Sequence, residues 1–215
     1  APGDAPGDAL LFEADALRHP LLAAGVAVAN PLALAPGEVV LVTGSNMSGK
    51  STFLRAAGLA VVLAWAGSAV PARALRLRPL RVFTSMRVGD AVQEGLSTFY
   101  AEVRRLRALL DAAATEAPPA LVLIDEMLRG TNNRERLAGG QAIARALAGG
   151  PGAALVATHD LALADLAEGD PRFRNAHFRE EAEGDTLVFD YRLREGPCPT
   201  TNALVIMRRA GLPVA

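Results

Sequence analysis

The chain has 215 residues, of which 51% are hydrophobic and 21% are charged, and its formal net charge is −1. This length suffices for one globular domain with a sizeable core, and the near-neutral charge excludes a nucleic-acid clamp built from this segment alone. The single cysteine, Cys198, excludes a disulfide framework and a zinc cluster of several thiolates, and it fits a reducing compartment. Arginine outnumbers lysine 21 to 1, so the one lysine, Lys50, is a position of interest.

The N-terminal stretch differs in composition from the rest of the chain. Residues 1–9 are rich in Pro, Gly and Asp, and they contain neither a starting methionine nor the basic and apolar pattern of a signal peptide. We therefore expect a fragment of a longer protein, with a flexible flank over residues 1–17 and one folded domain over residues 18–215.

From residue 27 onward, short apolar runs alternate with longer stretches that are typical of helices. Predicted strands cover residues 39–42, 121–124 and 154–157, and predicted helices cover residues 51–70, 98–114, 134–148 and 202–210. Residues 175–179 and 186–193 alternate like antiparallel strands around a turn at residues 183–185. This order predicts an α/β fold, with a mainly parallel sheet flanked by helices and an antiparallel β element near the C-terminus.

One stretch has the composition of a short membrane span. Residues 56–72 carry no charge, and a membrane-spanning helix needs roughly 17 residues at least. The stretch continues the helix that follows a glycine-containing turn, however, and it is rich in Ala and Gly. A helix buried in an α/β core is the favoured interpretation, so no membrane contact is expected.

The turn after the first predicted strand fits the pattern G-x-x-x-x-G-K-[ST], in the strand-turn-helix context that a P-loop (Walker A) motif requires. Its residues are Gly44, Ser45, Asn46, Met47, Ser48, Gly49, Lys50 and Ser51. Backbone N–H groups and the helix N-terminus of such a loop bind the β-phosphate of a nucleotide. Lys50 is expected to contact the β- and γ-phosphates, Ser51 to bind Mg²⁺, and Thr52 to donate to the α-phosphate. The alternative is a chance glycine-rich turn, which would not explain why the only lysine lies here.

The apolar residues 121–124 are followed directly by two acids, Asp125 and Glu126. Ligands of open α/β sheets bind at the carboxyl ends of the strands, so both side chains are expected beside the phosphate loop. Asp125 is predicted to help bind Mg²⁺, and Glu126 to orient or deprotonate the attacking water. The alternative is a solvated turn without a catalytic role.

A third apolar strand, residues 154–157, is followed by Thr158, His159 and Asp160. At that end of the sheet, His159 could reach the γ-phosphate and act as a sensor. A structural histidine is the alternative.

Several blocks of residues carry a resemblance to a known family. The first two blocks are His-Pro at 19–20 and Ala-Asn-Pro-Leu at 29–32. The third is the loop with its flanks, Val-Thr-Gly-Ser-Asn-Met-Ser-Gly-Lys-Ser-Thr at 42–52. The last three are Gly-Leu-Ser-Thr-Phe at 95–99, Asp-Glu-Met-Leu-Arg-Gly-Thr-Asn at 125–132 and Ala-Thr-His at 157–159. In this combination and order, the chain resembles the ATPase domain of MutS-family DNA mismatch-repair proteins over nearly all of residues 18–213.

The resemblance implies an ABC-type ATPase fold that works as a homodimer through its ATPase face. Each nucleotide would lie between the P-loop of one chain and the signature segment of the other chain, here Ser97 and Thr98. Ser97 would then contact the γ-phosphate held by the partner. By themselves, Ser97 and Thr98 also suit an ordinary helix N-cap, and the two roles are compatible.

Three positions depart from the family pattern. Ser48 stands where the family usually has a second glycine, residues 132–136 replace a Ser/Thr-rich segment, and Ala27 stands where an aromatic residue commonly stacks on adenine. Tyr191 could supply a ring instead, with Val28 beneath it, although an ordinary strand aromatic is an equal alternative. These departures predict a divergent MutS-related branch.

The leading functional prediction is Mg²⁺-dependent hydrolysis of ATP to ADP and phosphate, coupled to a conformational switch in a cytoplasmic MutS-like DNA-maintenance protein. DNA would be bound through regions outside this chain. A nucleotide-gated dimerisation module with little turnover, outside mismatch repair, is the alternative. A P-loop kinase is disfavoured because neither an acceptor pocket nor an Arg-rich lid is evident.

Overall fold

The computed structural model describes residues 10–23, 25–86, 98–115, 118–183 and 186–199. Its strands are β1 (Phe12–Leu17), β2 (Asn30–Leu34), β3 (Val39–Thr43), β4 (Ala74–Leu77), β5 (Arg81–Ser85), β6 (Ala120–Asp125), β7 (Ala153–Thr158), β8 (Phe173–His177), β9 (Glu180–Glu183), β10 (Thr186–Phe189) and β11 (Arg194–Glu195). Its α-helices are α1 (Lys50–Trp65), α2 (Thr98–Ala113), α3 (Asn133–Leu147) and α4 (Leu166–Gly169). A 3-10 turn covers Leu161–Leu163.

Within the described ranges, the central sheet has the strand order β11-β8-β3-β7-β6-β5. All neighbouring strands are parallel except β11, which runs antiparallel to β8. Every residue of β3, β6 and β7 is buried, and each strand is apolar up to its last residue, as expected for strands that helices cover on both faces. The prediction of a mixed α/β fold with a largely parallel sheet flanked by helices is confirmed.

Successive side chains of β3 point to opposite faces of the sheet, and each face carries one layer of the core. Val40 and Val42 pack in one cluster with residues of α1, among them Leu54. Val39 and Leu41 point to the opposite face and pack in a second cluster, whose members from α-helices come from α2, α3 and α4. The sheet is therefore a rigid support for the polar residues that follow its strands.

A second, three-stranded sheet has the order β2-β1-β4, and the sequence analysis did not predict it. Both β2 and β4 pair antiparallel with β1. Phe12 and Leu34 are fully buried and join the same core cluster as α1. Phe12–Leu17 is thus a strand that packs on the core, although it lies in the stretch for which a flexible flank was predicted. The domain boundary at residue 18 stays a prediction.

The C-terminal β element is antiparallel, but the predicted pairing was wrong. Residues 175–179 were expected to pair with residues 186–193, whereas β8 pairs parallel with β3 in the central sheet. The antiparallel partner of β10 is β9, at Glu180–Glu183. The apolar side chains Phe173 and Ala176 explain the difference, because both are buried and extend the core on the far side of β3.

Helix α1 ends at Trp65 rather than at the predicted residue 70. Gly67 has a φ of 67°, and the N–H of Ser68 donates to the Leu63 carbonyl at 2.9 Å. These two features end the helix as a C-terminal glycine cap does.

No helix among the described residues has the length and apolar character needed to span a membrane. The helix predicted over residues 202–210 lies outside the described residues.

Candidate functional site

An open pocket of about 650 Å³ lies at the carboxyl ends of the central strands. The predicted site residues that line it are Val28, Asn46, Met47, Ser48, Gly49, Lys50, Ser51, Thr52, Asp125, Glu126 and Tyr191. Its position follows from the register of the sheet, in which Thr43 pairs with Thr158 and Asp125 with Ala157. Because these strands end together, the segments that follow them meet at one edge.

The loop from Gly44 to Gly49 depends on backbone conformations that glycine adopts easily. Gly44 has a φ of 144°, and a Cβ atom there would lie 2.6 Å from the carbonyl oxygen of Phe178. Gly49 has a φ of 109°, and its Cβ would lie 3.2 Å from Cδ1 of Tyr191. Larger residues at either position would strain the backbone or displace a neighbouring segment, so both glycines support the shape of the loop.

Lys50 is the first residue of α1, and its side chain is held inside the loop. Only 5% of the residue is exposed, and Nζ donates to the carbonyl oxygens of Gly44 and Ser45, both at 2.7 Å. Burial lowers the pKa of Lys50, and the negative charges of Glu126, Asp125 and Glu180 oppose that shift. The lysine is thus a buried cation facing a group of acids.

Asp125 and Glu126 follow one another at the end of β6, and both face the pocket. The backbone turns sharply here, because Glu126 has a φ of 56° while its N–H donates to the Ala157 carbonyl at 2.9 Å. An arginine and a histidine hold the Glu126 carboxylate: Arg129 Nη2 lies 2.7 Å from Oε2, and His159 Nδ1 lies 3.1 Å from Oε1. The turn therefore aims the carboxylate, and its partners fix its orientation.

His159 does not itself line the main pocket, and it reaches the pocket through Glu126. It follows β7, where the hydroxyl of Thr158 accepts from the N–H of Asp160 at 3.0 Å. Asp160 in turn caps the following 3-10 turn by accepting from the N–H of Ala162. These bonds fix the turn that carries the histidine.

The segment after Glu126 is joined to helix α2. The Leu128 N–H donates to Oε1 of Glu102 at 2.7 Å, and Phe99 packs so closely on Gly130 that a Cβ there would lie 2.9 Å from the Phe99 Cβ. Glu102 therefore bonds the segment after β6. Ser97, the predicted signature residue, lies outside the described residues, and its position stays a prediction.

Val28 and Tyr191 also line the pocket. Tyr191 is 43% exposed as a residue, and its ring stacks on Phe189, with 6.0 Å between ring centroids and 21° between planes. Asn30 anchors this segment, because its Nδ2 donates to the Tyr191 carbonyl at 3.0 Å and its Oδ1 accepts from Leu193 N at 2.7 Å. Both interpretations of Tyr191, base platform and strand aromatic, remain open.

The donor set suits a magnesium ion that binds together with phosphate. Asp125 offers a buried carboxylate and Ser51 a hydroxyl, and both line the pocket. Magnesium takes one or two protein oxygens when phosphates and water supply the rest. Among the residues that the structure describes, no group of three or more His, Cys, Asp and Glu side chains could hold a metal ion.

Three further residues of this region, Arg129, Asn30 and Glu180, were not predicted as site residues. Arg129 binds Glu126, which lies three positions before it in the chain, but the two residues lie in a turn and not in a helix, so helical spacing does not predict the pair. Asn30 and Glu180 act through contacts across more than 130 residues, with the Tyr191 segment and with Ser45 respectively, so no local pattern predicts them.

The fold and pocket together define an α/β protein with a polar site at the carboxyl ends of a largely parallel sheet. A family model described as MutS domain V matches residues 40–215. That match covers most of the chain, and the chain therefore belongs to the MutS domain V family, within the MutS-like mismatch-repair proteins. Proteins of the MutS family are ATPases that bind DNA and function as dimers.

Proposed function

We propose that this chain binds ATP and Mg²⁺ and hydrolyses ATP, as the P-loop domain of ABC type in a divergent MutS-like DNA-maintenance protein. The main support is the meeting of the only lysine of the chain with two acids in one pocket. Lys50 lies 75 residues before the adjacent acids Asp125 and Glu126, and all three line that pocket. A buried cation opposite two carboxylates is the arrangement that a metal-bound polyphosphate requires.

Lys50 and the backbone N–H groups of the loop would bind the β- and γ-phosphates in this proposal. Ser51 and Thr52 begin helix α1 beside them, where the helix N-terminus adds positive potential. Thr52 would donate to the α-phosphate. The base would lie against Val28 and Tyr191, which also line the pocket.

Asp125 and Ser51 would hold Mg²⁺, which neutralises phosphate charge when it is bound. Glu126 would orient the attacking water or take its proton. Arg129 and His159 support that role, because they hold both carboxylate oxygens and leave little rotational freedom. His159 would in addition sense the γ-phosphate through its contact with Glu126.

Ser97 and Thr98 of a second copy would complete each nucleotide site in a homodimer, and DNA would be bound by regions outside this chain. The contact between Glu102 and the segment after β6 supports such coupling, because it links the helix that follows Ser97 to the turn that carries Glu126. A nucleotide-gated dimerisation module with little turnover stays the alternative. A cytoplasmic location also stays a prediction.

Titration calorimetry with ATP and Mg²⁺ tests the proposal. Lys50→Ala should abolish measurable binding, because it removes the charge that faces the β- and γ-phosphates. Arg76→Ala, which removes a cation whose side chain is 76% exposed on β4, is the matched control and should bind like the wild type. Unchanged affinity in Lys50→Ala would refute the P-loop assignment. Steady-state phosphate release by the wild type then distinguishes an ATPase from a dimerisation module.

A further inference from the structure

A buried carboxylate that the proposed mechanism does not use lies against the phosphate loop. Glu180, the first residue of β9, is only 6% exposed. Its Oε2 accepts a hydrogen bond from the Ser45 hydroxyl at 2.6 Å, while Oε1 is buried without a hydrogen-bond partner in the described part of the chain. A half-satisfied buried carboxylate destabilises a fold, so its presence beside the loop requires an explanation.

The topology of the sheet brings Glu180 to this place. Strands β3 and β8 are parallel neighbours, with Thr43 in register with His177. Both segments leave the sheet side by side, and the Phe178 N–H donates to the Thr43 carbonyl at 3.0 Å. Two residues further along each segment, Ser45 and Glu180 meet. The contact therefore follows from the strand order.

Both the carbonyl and the hydroxyl of Ser45 form hydrogen bonds. Its carbonyl accepts from Lys50 Nζ at 2.7 Å, and its hydroxyl donates to Glu180 at 2.6 Å. Lys50 also donates to the Gly44 carbonyl, so two of its three N–H donors are used within the loop. We call this arrangement the loop-bound position of Lys50. A lysine that bridges two phosphates has to exchange at least one of these carbonyl bonds for a phosphate oxygen.

Three carboxylates favour the charged form of Lys50, and they differ in their other partners. Glu126 is held by Arg129 and His159. Asp125 is the proposed magnesium ligand. Within the described residues, the Ser45 hydroxyl is the only hydrogen-bond partner of the Glu180 carboxylate. The negative charge of Glu180 would therefore repel the phosphate groups of a ligand in the pocket. Buried charges are weakly screened by salt, which makes this opposition effective.

We propose that Glu180 is a positioning residue that stabilises the loop-bound position of Lys50 through Ser45 and lowers the affinity of the pocket for phosphate groups. The inference rests on the proposed nucleotide site and adds a form of regulation to it. Glu180 opposes each added phosphate by its negative charge, so it limits how tightly the site holds both substrate and product.

The test compares AMP, ADP and ATP, each with Mg²⁺, by titration calorimetry on the whole chain. Glu180→Gln removes the charge but keeps an acceptor oxygen for Ser45 and nearly the same volume. We expect ATP to bind roughly 3- to 10-fold more tightly, ADP to gain less, and AMP to change little. If Glu180 had a purely structural role, the substitution would change the affinities for all three nucleotides by the same factor.

Glu168→Gln makes the same change of charge on the exposed surface of α4 and should leave all three affinities unaltered. Glu180→Ala removes the charge together with the acceptor oxygen, and it should give the same order of affinity gains, with ATP first, ADP second and AMP last. This second variant keeps the test valid if the Gln variant unfolds. An equal change for the three nucleotides, or weaker ATP binding, would overturn the inference alone. A wild-type chain that binds none of them would overturn the proposed function, and the inference with it.

Discussion

Nδ1 of His159 lies 3.1 Å from Oε1 of Glu126, at the ends of the neighbouring strands β7 and β6. Only 14% of the Glu126 side chain is exposed, whereas 46% of the His159 side chain is exposed. The carboxylate is thus largely shielded from solvent, whereas the histidine beside it is about half exposed. A general base in this position would be fixed in direction and partly protected from bulk water, as a group that orients one water molecule requires.

Glu126→Gln should retain nucleotide binding and lose turnover. The amide keeps the shape of the side chain but cannot take a proton, so we expect hydrolysis to slow by roughly 100-fold or more while ATP affinity stays within about threefold. Phosphate release and titration calorimetry on the same preparation measure the two effects. Glu195→Gln, an exposed acid on β11, is the control. A normal rate in Glu126→Gln would remove Glu126 from the mechanism.

Arg129→Met should slow the chemical step without preventing binding. The substitution keeps most of the side-chain length but removes the guanidinium that lies 2.7 Å from Glu126 Oε2. We expect single-turnover hydrolysis to fall by roughly 10-fold, because the carboxylate loses one of its two partners and becomes less well oriented.

Two further variants define the role of Arg129. Arg129→Lys, which restores a cation, should recover part of the rate. Arg107→Met removes an arginine from an exposed pair with Asp111 and should behave like the wild type. If Arg129→Met lowers ATP affinity by as much as it lowers the rate, Arg129 contacts the nucleotide and does not act through Glu126.

The meeting of residues 44–50 with Asp125 and Glu126 at one edge of the sheet could be predicted, because each segment follows an apolar run. Strands β3, β6 and β7 are buried along their whole length, and the sequence of each is apolar up to a polar last residue. Parallel strands end at the same edge of a sheet, which makes the meeting of Lys50 with Asp125 and Glu126 an expectation from sequence alone.

The small sheet could not be predicted from local pattern. Phe12–Leu17 has the sequence Phe-Glu-Ala-Asp-Ala-Leu, which is short and rich in alanine, and it becomes a strand through pairing with Asn30–Leu34 and Ala74–Leu77. Strand propensity is weak where tertiary pairing decides. The bond between Ser45 and Glu180 is likewise a product of strand order, since 135 residues separate the two.

Tyr191→Ala should distinguish a base platform from a structural aromatic residue. If the ring stacks on adenine, the affinity for ADP should fall by about 1 kcal/mol, or roughly fivefold. Tyr191→Phe keeps the ring and should bind ADP like the wild type. Tyr191 has a φ of 54°, so both variants share the same backbone strain and the comparison isolates the ring. Equal ADP affinity in all three proteins would assign Tyr191 to the contact with Phe189.

The last prediction concerns which chain supplies each part of the site. Lys50 should act on the nucleotide of its own chain, whereas Ser97 should act on the nucleotide of the partner. Lys50→Ala and Ser97→Arg should each be nearly inactive as homodimers. In a mixed dimer, one site receives both defects, and the other combines an intact P-loop with an intact signature segment. Mixing the two inactive proteins should therefore restore ATPase activity, with at most one working site in each heterodimer.

The measurement needs high protein concentration and saturating ATP, because association depends on both. Crosslinking of differently tagged chains reports whether heterodimers form, and phosphate release is measured on the same mixture. If heterodimers form but are no more active than either homodimer, the shared site is contradicted, unless both sites must be intact for either one to hydrolyse ATP. A single-chain tandem separates these cases. With both substitutions in one half, each composite site carries one defect and activity should be absent. With one substitution in each half, one intact site remains, and activity there would establish that Lys50 and Ser97 of opposite chains serve the same nucleotide.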